Sequence, residues 1–208
     1  LVVKLSQHIM PKTHNEQIMT RSDDKRDFKA FYLAFENKFR GPRDLIKARL
    51  RVYMPFVEPL HAFHKPANAV DLGCGRGEWL ELMQEYGFDA HGVDIDDAML
   101  AICRDLGLKV HKNDAISFLK GLPETSQSVV SGFHIAEHIL FTELQDMVQE
   151  AMRVLKPGGL LILETPNPDN LLVGASSFYL DPSHHRPIPL QLLSFLPEYY
   201  GFARVKTL

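Results

Sequence analysis

The sequence predicts a doubly wound α/β fold, in which a mostly parallel sheet carries helices on both faces. After Pro66, short apolar strands alternate with helical stretches, the pattern of successive βαβ units. The chain has 208 residues, which at roughly 150 residues per domain indicates one domain with an appendage. Hydrophobic residues make up 45% and charged residues 24% of the chain, as in ordinary globular proteins.

Two segments precede the alternating region. Residues 1–27 are polar and lack a hydrophobic period, so we expect a polar arm or linker there. Residues 28–65 carry aromatic and aliphatic side chains at helical spacing, interrupted at Gly41 and Pro42, and predict an N-terminal helical lid. Residues 66–208 then form the main domain.

Six strands are predicted in the main domain, and a helix follows each of the first five. The strands are residues 69–72, 90–94, 109–111, 128–132, 160–164 and 203–208. The helices are residues 77–86, 97–106, 116–119, 142–155 and 189–200. In an open parallel sheet the ligand crevice lies outside the carboxyl ends of the strands, so the residues after each strand are the candidates for a site.

The first candidate is the glycine-rich segment 71–77, which follows the first strand. Its three glycines allow a sharp turn and a close approach of the backbone to a ligand, at which the next helix directs free N–H groups. Glu78 stands where the dinucleotide fingerprint G-x-G-x-x-G needs its last glycine. Asp71 and Glu78 would repel a pyrophosphate, so this loop favours a cationic ligand.

Two more carboxylates follow the next two strands. Asp94 ends the second strand and is placed to accept hydrogen bonds from a ribose diol. It could instead cap the helix near Asp97, although Asp96 or Asp97 could do so too. Asp114, after the third strand, could accept from the exocyclic amine of an adenine, or could cap the next helix.

In these features the chain resembles the class I S-adenosylmethionine-dependent methyltransferases, as it does in the turn Lys156-Pro157-Gly158-Gly159 before a strand. The resemblance implies a Rossmann-like methyltransferase fold, S-adenosylmethionine as the cofactor, and a seven-stranded sheet whose last strand is missing here. It implies that the segment around Asp71 holds the methionine part, Asp94 the ribose and Asp114 the adenine. The implied cofactor-binding residues are Asp71, Gly73, Cys74, Gly75, Gly77, Asp94, Ile95, Asn113, Asp114 and Ala115.

A narrower likeness is to bacterial methyltransferases found with polysaccharide and O-antigen biosynthesis. Four segments carry it: residues 39–47, 133–138, 164–168 and 178–187. It implies O-methylation of a sugar hydroxyl. Two alternatives stay open, namely methylation of a small molecule such as a quinone precursor or a carboxylic acid, and a non-catalytic cofactor-binding module of a larger protein.

Histidines are the candidate catalytic residues. Methyl transfer from a sulfonium mainly needs alignment, but a sugar hydroxyl is a poor nucleophile and a histidine base would help. His134 and His138 follow the fourth strand, and His184 lies in a Pro-flanked loop after the fifth; the resemblance favours His184. Each could instead order the pocket or its loop. A metal held by His134, Glu137 and His138 is conceivable, but no further ligand is evident and none is predicted.

Arg43 lies in a basic stretch of the helical segment, with Arg40 and Lys47. Such charges usually form a solvated helix face. The alternative is that Arg43 meets the methionine carboxylate or an anionic acceptor.

Charge and cysteine content limit the partners and the compartment. The net charge is −3, so we do not expect nucleic acid as a partner. We expect a small-molecule or glycan substrate. Additional domains or a homodimer are open alternatives. No apolar run approaches the roughly 18 residues of a membrane span. Cys74 and Cys103 give no disulfide framework, which favours the cytoplasm, and the absence of an initial Met indicates a trimmed piece.

Overall fold

The computed structural model describes residues 31, 32, 34, 35 and 38–208, and the chain divides into two compact units, Leu1–Gly41 and Pro42–Leu208. Residues 31, 32, 34, 35, 38 and 39 of the first unit are helical, and the ring centroids of Phe35 and Phe39 lie 4.8 Å apart. The predicted arm, residues 1–27, lies outside the described residues.

The second unit contains the helices and strands in the predicted alternation. Its helices are α1 (Arg43–Leu50), α2 (Met54–Phe63), α3 (Glu78–Glu85), α4 (Asp97–Asp105), α5 (Ala115–Gly121), α6 (Phe141–Val154), α7 (Leu171–Ala175) and α8 (Leu190–Tyr199). Its strands are β1 (Asn68–Leu72), β2 (Asp89–Asp94), β3 (Lys109–Lys112), β4 (Gln127–Phe133) and β5 (Leu155–Glu164). Short 3-10 turns lie at Arg51–Tyr53, Ala136–His138 and Ser177–Leu180.

The five strands form one parallel sheet in the order β3-β2-β1-β4-β5. Apolar side chains of α1 to α4 cover one face, and those of α5, α6 and α8 cover the other. Strand β4 is buried along its whole length because both of its faces are covered. The doubly wound α/β prediction is therefore confirmed, and the strand order reverses between β1 and β4, where a ligand crevice is expected.

Asp96 caps α4, accepting from the backbone N–H groups of Ala98 and Met99. Asp94 is therefore not the cap and its side chain is available for another contact. Asp114 does cap α5, accepting from the N–H of Ser117 at 2.8 Å.

The sixth predicted strand is wrong, because residues 203–208 contain no strand. Their alternating pattern is compatible with an extended chain, but a strand exists only where a neighbour completes its hydrogen bonds. No strand of the described residues pairs with this segment. None of the helices in the described residues is long and apolar enough to cross a membrane.

Gly92 lies in β2, an interior strand of the sheet, and we predict that Gly92→Ala destabilises the fold. A Cβ there would lie 2.5 Å from Cδ1 of Leu80 and 2.7 Å from Sγ of Cys74, both in the core. Such overpacking costs about 1–3 kcal/mol of unfolding free energy, measured by urea denaturation. Gly121→Ala is the control, since nothing lies within 4 Å of its Cβ position. Equal stability of the two variants would contradict the prediction.

Candidate active site

The loop after β1 folds back against the end of β2. The N–H groups of Gly73 and Cys74 donate to the carbonyl oxygen of Val93 at 2.8 and 3.0 Å. The backbone of this loop is left-handed at its three glycines, with φ angles of 66° at Gly73, 51° at Gly75 and 78° at Gly77. Glycine adopts this conformation with little strain because it has no Cβ. The sequence of this loop thus sets its path at the switch point of the sheet.

The carboxylate of Asp94 joins the loops that follow β1 and β2. Its Oδ2 accepts from the N–H of Gly75, and its Oδ1 accepts from the N–H of Asp96, both at 2.9 Å. A carboxylate has about four acceptor positions, so these two bonds leave capacity for a ligand hydroxyl. Asp94 thus shapes the loop and still fits a ribose-binding role.

Asp71 is buried below the loop. The hydroxyl of Ser131 donates to its Oδ1 at 2.7 Å, which links the carboxyl ends of β1 and β4. A buried carboxylate needs such partners because desolvation penalises its charge. Asp71 therefore helps to support the loop from below.

The third group of predicted residues lies on the rim of the site, after β3. Oδ1 of Asn113 accepts from the N–H of Asp114. Hydrogen bonds from Ser117 hold the pKa of Asp114 below its usual value, so this carboxylate is ionised at neutral pH. Ala115 begins α5, and Ile95, which directly follows β2, is 70% exposed. The sheet brings these residues to the same edge as Asp94, since β3 pairs with β2.

Arg43 reaches the glycine loop from α1. Its guanidinium donates to the carbonyl oxygen of Arg76 at 2.7 Å and to Oε2 of Glu81 at 2.7 and 2.9 Å. Lys47 donates to the other oxygen of Glu81. These hydrogen bonds hold the pKa of Glu81 below its usual value despite partial burial. Arg43 is therefore not simply a solvated charge, because it fixes the outer side of the loop.

The segment after β4 opens with a strained histidine. His134 has a φ of 54°, which is uncommon outside glycine. Its Nδ1 lies 3.2 Å from Oε1 of Glu137, and its Nε2 lies 3.3 Å from Oε1 of Glu164. The hydroxyl of Tyr53 donates to the other oxygen of Glu164. The imidazole is thus held between two carboxylates.

These contacts make His134 a cation at neutral pH. Partial burial disfavours the charged ring, but the hydrogen bonds and charges of Glu137 and Glu164 outweigh it and raise the pKa of His134 to about 9. Burial also disfavours the charge of Glu137, yet its bonds from His134 and Thr165 keep its pKa below the usual value. A protonated imidazole cannot accept a proton, so His134 is a poor candidate for a base near pH 7.

His138 and His184 meet beside Glu137. Their ring centroids lie 4.7 Å apart, and Nε2 of His184 lies 4.0 Å from Oε1 of Glu137. Nδ1 of His138 lies 3.0 Å from Oγ of Ser183, whose hydroxyl donates to Oδ1 of Asp181 at 2.6 Å. Burial lowers the pKa of His138, partly offset by the charge of Glu137. We call Glu137, His138 and His184 the acceptor-side cluster.

The cluster lies next to the glycine loop. Ile135, one residue after His134, approaches Gly73 so closely that a Cβ on Gly73 would lie 3.3 Å from Cδ1 of Ile135. The segment that leads into the cluster therefore packs against the glycine loop at the switch point. His184, and not His134, is the group that joins Glu137 and His138 in one potential metal-ligand set.

Sequence reasoning missed three supporting side chains: Tyr53, Thr165 and Ser183. The hydrophobic period places Tyr53 only on a helix face, and although Thr165 and Ser183 lie in segments that carry the narrower likeness, no spacing indicates which groups their hydroxyls contact. Their contacts are to residues far away in the chain, apart from the contact of Ser183 with Asp181.

A glycine loop at the switch point, with Asp71 near the end of β1, Asp94 at the end of β2 and Asp114 after β3, is the arrangement expected of a class I S-adenosylmethionine-dependent methyltransferase. The family described as "Methyltransferase domain" matches residues 43–201. The chain belongs to this family of methyltransferase domains, and its relatives include proteins named as S-adenosylmethionine-dependent methyltransferases.

A solved S-adenosylmethionine-dependent methyltransferase from Archaeoglobus fulgidus is 39% identical, with a TM-score of 0.77, over 85% of this chain and 76% of that one. A probable S-adenosylmethionine-dependent methyltransferase of Mycolicibacterium smegmatis is 32% identical over 68% of this chain and 54% of its own length. A ubiquinone biosynthesis O-methyltransferase of Methylococcus capsulatus is 29% identical over 55% and 49% of the two chains. The chain spans about half the length of the curated relatives it matches.

The clamped imidazole of His134 should make stability depend on pH. Its pKa is raised from 6.5 to about 9 on folding, so its ionic stabilisation is complete below pH 6.5 and is lost as the pH rises through about 9. We predict that His134→Asn, which tolerates a positive φ, lowers the unfolding free energy most near pH 6.5 and much less above pH 9. Urea denaturation across this range measures the difference. His185→Asn is the control, and a pH-independent deficit in His134→Asn would contradict the role of charge.

Proposed function

We propose that the protein methylates a hydroxyl oxygen of a sugar in glycan or polysaccharide biosynthesis. The observation that carries this proposal is the acceptor-side cluster, which contacts the segment packed on the glycine loop. Imidazoles beside a methyl-donor pocket suit an acceptor that must lose a proton, as a hydroxyl must. The likeness to methyltransferases of polysaccharide and O-antigen biosynthesis supports the sugar.

The cofactor site is part of the proposal. We assign the methionine part to Asp71, Gly73, Cys74, Gly75 and Gly77, the ribose to Asp94 and Ile95, and the adenine to Asn113, Asp114 and Ala115. Asp71 and Asp94 supply carboxylates at this loop for a cationic, phosphate-free ligand, while the charge of Glu78 is paired with Arg76 and Arg43. We assign Arg43 to positioning, through the carbonyl of Arg76.

The cofactor supplies a methyl group on a positively charged sulfur. The acceptor oxygen would bond to the methyl carbon as the carbon–sulfur bond breaks with its electron pair left on sulfur, and the hydroxyl proton would pass to an imidazole of the cluster. His138 and His184, with Glu137, activate this hydroxyl. His134 carries a positive charge and acts differently, because it holds the buried carboxylate of Glu137 in place.

A second candidate is methylation of a small molecule. The similarity to a ubiquinone biosynthesis O-methyltransferase favours it, because that relative also takes its name from oxygen methylation. The same cluster would serve a phenolic hydroxyl. A non-catalytic module within a longer protein, a homodimer and a cytoplasmic location stay predictions.

Label transfer tests the function. Purified chain and S-[methyl-³H]adenosylmethionine are incubated with host material sorted into glycan, lipid, small-molecule, nucleic-acid and protein pools. We expect label in the glycan pool, and label only among small molecules would support the second candidate.

With the labelled acceptor, His184→Ala should lower kcat by about 10²–10⁴-fold, the usual contribution of acid–base catalysis. Cofactor affinity should not change. His185→Ala is the matched control, and equal rates for both variants would contradict the role of the cluster.

Asp94→Ala should weaken binding of S-adenosylhomocysteine by about 1–3 kcal/mol, the cost of leaving buried donors without an acceptor. Calorimetry on the folded variant measures this. Asp105→Ala, an exposed carboxylate at the far end of α4, is the control and should bind normally. Unchanged affinity in Asp94→Ala would reject the ribose assignment.

A further inference from the structure

The acceptor-side cluster has the composition of a metal site. One potential ligand atom from each of Glu137, His138 and His184 lies within 4.8 Å of the other two. The side chain of Glu137 is fully buried and that of His184 is 11% exposed. Two imidazoles and a carboxylate form a donor set that proteins use for catalytic Zn²⁺ and for non-haem Fe²⁺.

Hydrogen bonding determines which nitrogen of His184 can bind an ion. Its Nδ1 lies 2.6 Å from the carbonyl oxygen of Phe178. A carbonyl oxygen only accepts, so Nδ1 carries the proton and Nε2 of the neutral ring has the lone pair. This Nε2 lies 4.0 Å from Oε1 of Glu137 and 3.8 Å from Oδ2 of Asp181, beyond hydrogen-bond length. A tetrahedral ion with bonds of about 2.0–2.2 Å holds its ligand atoms about 3.3–3.6 Å apart, so a small approach of Nε2 to Oε1 would close the gap around an ion.

The same reasoning applies to His138. The one hydroxyl proton of Ser183 is donated to Asp181, so the oxygen of Ser183 accepts from Nδ1 of His138. The lone pair of His138 is then on Nε2. Metal-binding histidines almost always donate their other nitrogen to a carboxylate, a carbonyl or a similar acceptor. His138 and His184 both do this.

The carboxylate of Glu137 is also held in one orientation. Its Oε1 lies 3.2 Å from Nδ1 of His134, and its Oε2 accepts from the hydroxyl of Thr165 at 2.8 Å. Each oxygen keeps a second lone pair for an ion. The geometry of this donor set is therefore fixed by residues outside it.

We propose that Glu137, His138 and His184 bind one divalent first-row transition metal ion, with Zn²⁺ as the reference ion, and leave a position open for the acceptor hydroxyl. This inference rests on the proposed function, since it states how the cluster activates the acceptor. A metal-bound hydroxyl is more acidic, as metal-bound water is. Because both imidazoles would then bind the ion through Nε2, the hydroxyl proton would pass to solvent water instead of a histidine, and the oxygen would attack the methyl carbon as the electron pair of the carbon–sulfur bond stays on sulfur.

The test begins with metal binding alone. The full chain is treated with EDTA, desalted and titrated with Zn²⁺ by calorimetry, and Co²⁺ is followed by its visible absorption. We expect one Zn²⁺ per chain and no comparable binding of Mg²⁺, which prefers oxygen ligands. Ser183→Ala should weaken Zn²⁺ binding by about 10–100-fold, as loss of an outer hydrogen bond does. His184→Ala should weaken it further.

The matched control is His185→Ala, which removes the neighbouring exposed imidazole and should bind Zn²⁺ like the wild type. Circular dichroism checks that each variant is folded. Absence of Zn²⁺ binding by the wild-type chain, or equal binding by His184→Ala and wild type, would overturn the inference.

Methyl transfer separates this inference from the proposed function. We expect the EDTA-treated chain to lose transfer and to regain it with Zn²⁺ or Co²⁺. If the metal-free chain transfers at full rate while His184→Ala is inactive, the metal inference fails and the methyltransferase proposal stands. If the chain binds Zn²⁺ at the cluster but labels no glycan or small molecule, the proposed function fails and the catalytic role of the ion fails with it.

Discussion

The buried carboxylate of Glu137 is the constraint on which the acceptor side of this site depends. A fully buried charge is tolerated only when it is paired and hydrogen-bonded. Glu137 meets this requirement with His134 and Thr165, while its backbone carbonyl accepts from the N–H of His185. One residue thereby joins the ends of β4 and β5 and the loop of His184. The left-handed backbone of His134 is a local cost that this arrangement offsets.

The cofactor side follows a different rule, because its shape is set by backbone conformation. Glycines turn the chain after β1, and Asp94 receives the N–H of Gly75 in a bond that spans two loops. Neighbouring side chains close over the turn, since a Cβ on Gly77 would collide with Leu108 and Cys103. The turn therefore has little freedom to rearrange.

This difference explains what the sequence could predict. The sheet, its helices and the glycine loop follow from hydrophobic period and local turn chemistry, which nearby residues encode. The meeting of His138 with His184, and of Tyr53 with Glu164, depends on how distant segments pack, and no spacing encodes it. The strand expected at residues 203–208 failed for the same reason, because alternation marks a chain that can pair but not a partner. The place of His134 after β4 suggests a base, but its two carboxylate neighbours, which set its charge, become visible only in the fold.

The short stretch from Arg43 to Tyr53 contacts both halves of the site. At one end Arg43 donates to the backbone of the glycine loop, and at the other Tyr53 donates to Glu164, which holds His134. Both contacts come from one short helical stretch, so a shift of that stretch changes both. A substitution that displaces this stretch would therefore disturb both the glycine loop and the carboxylate that holds His134.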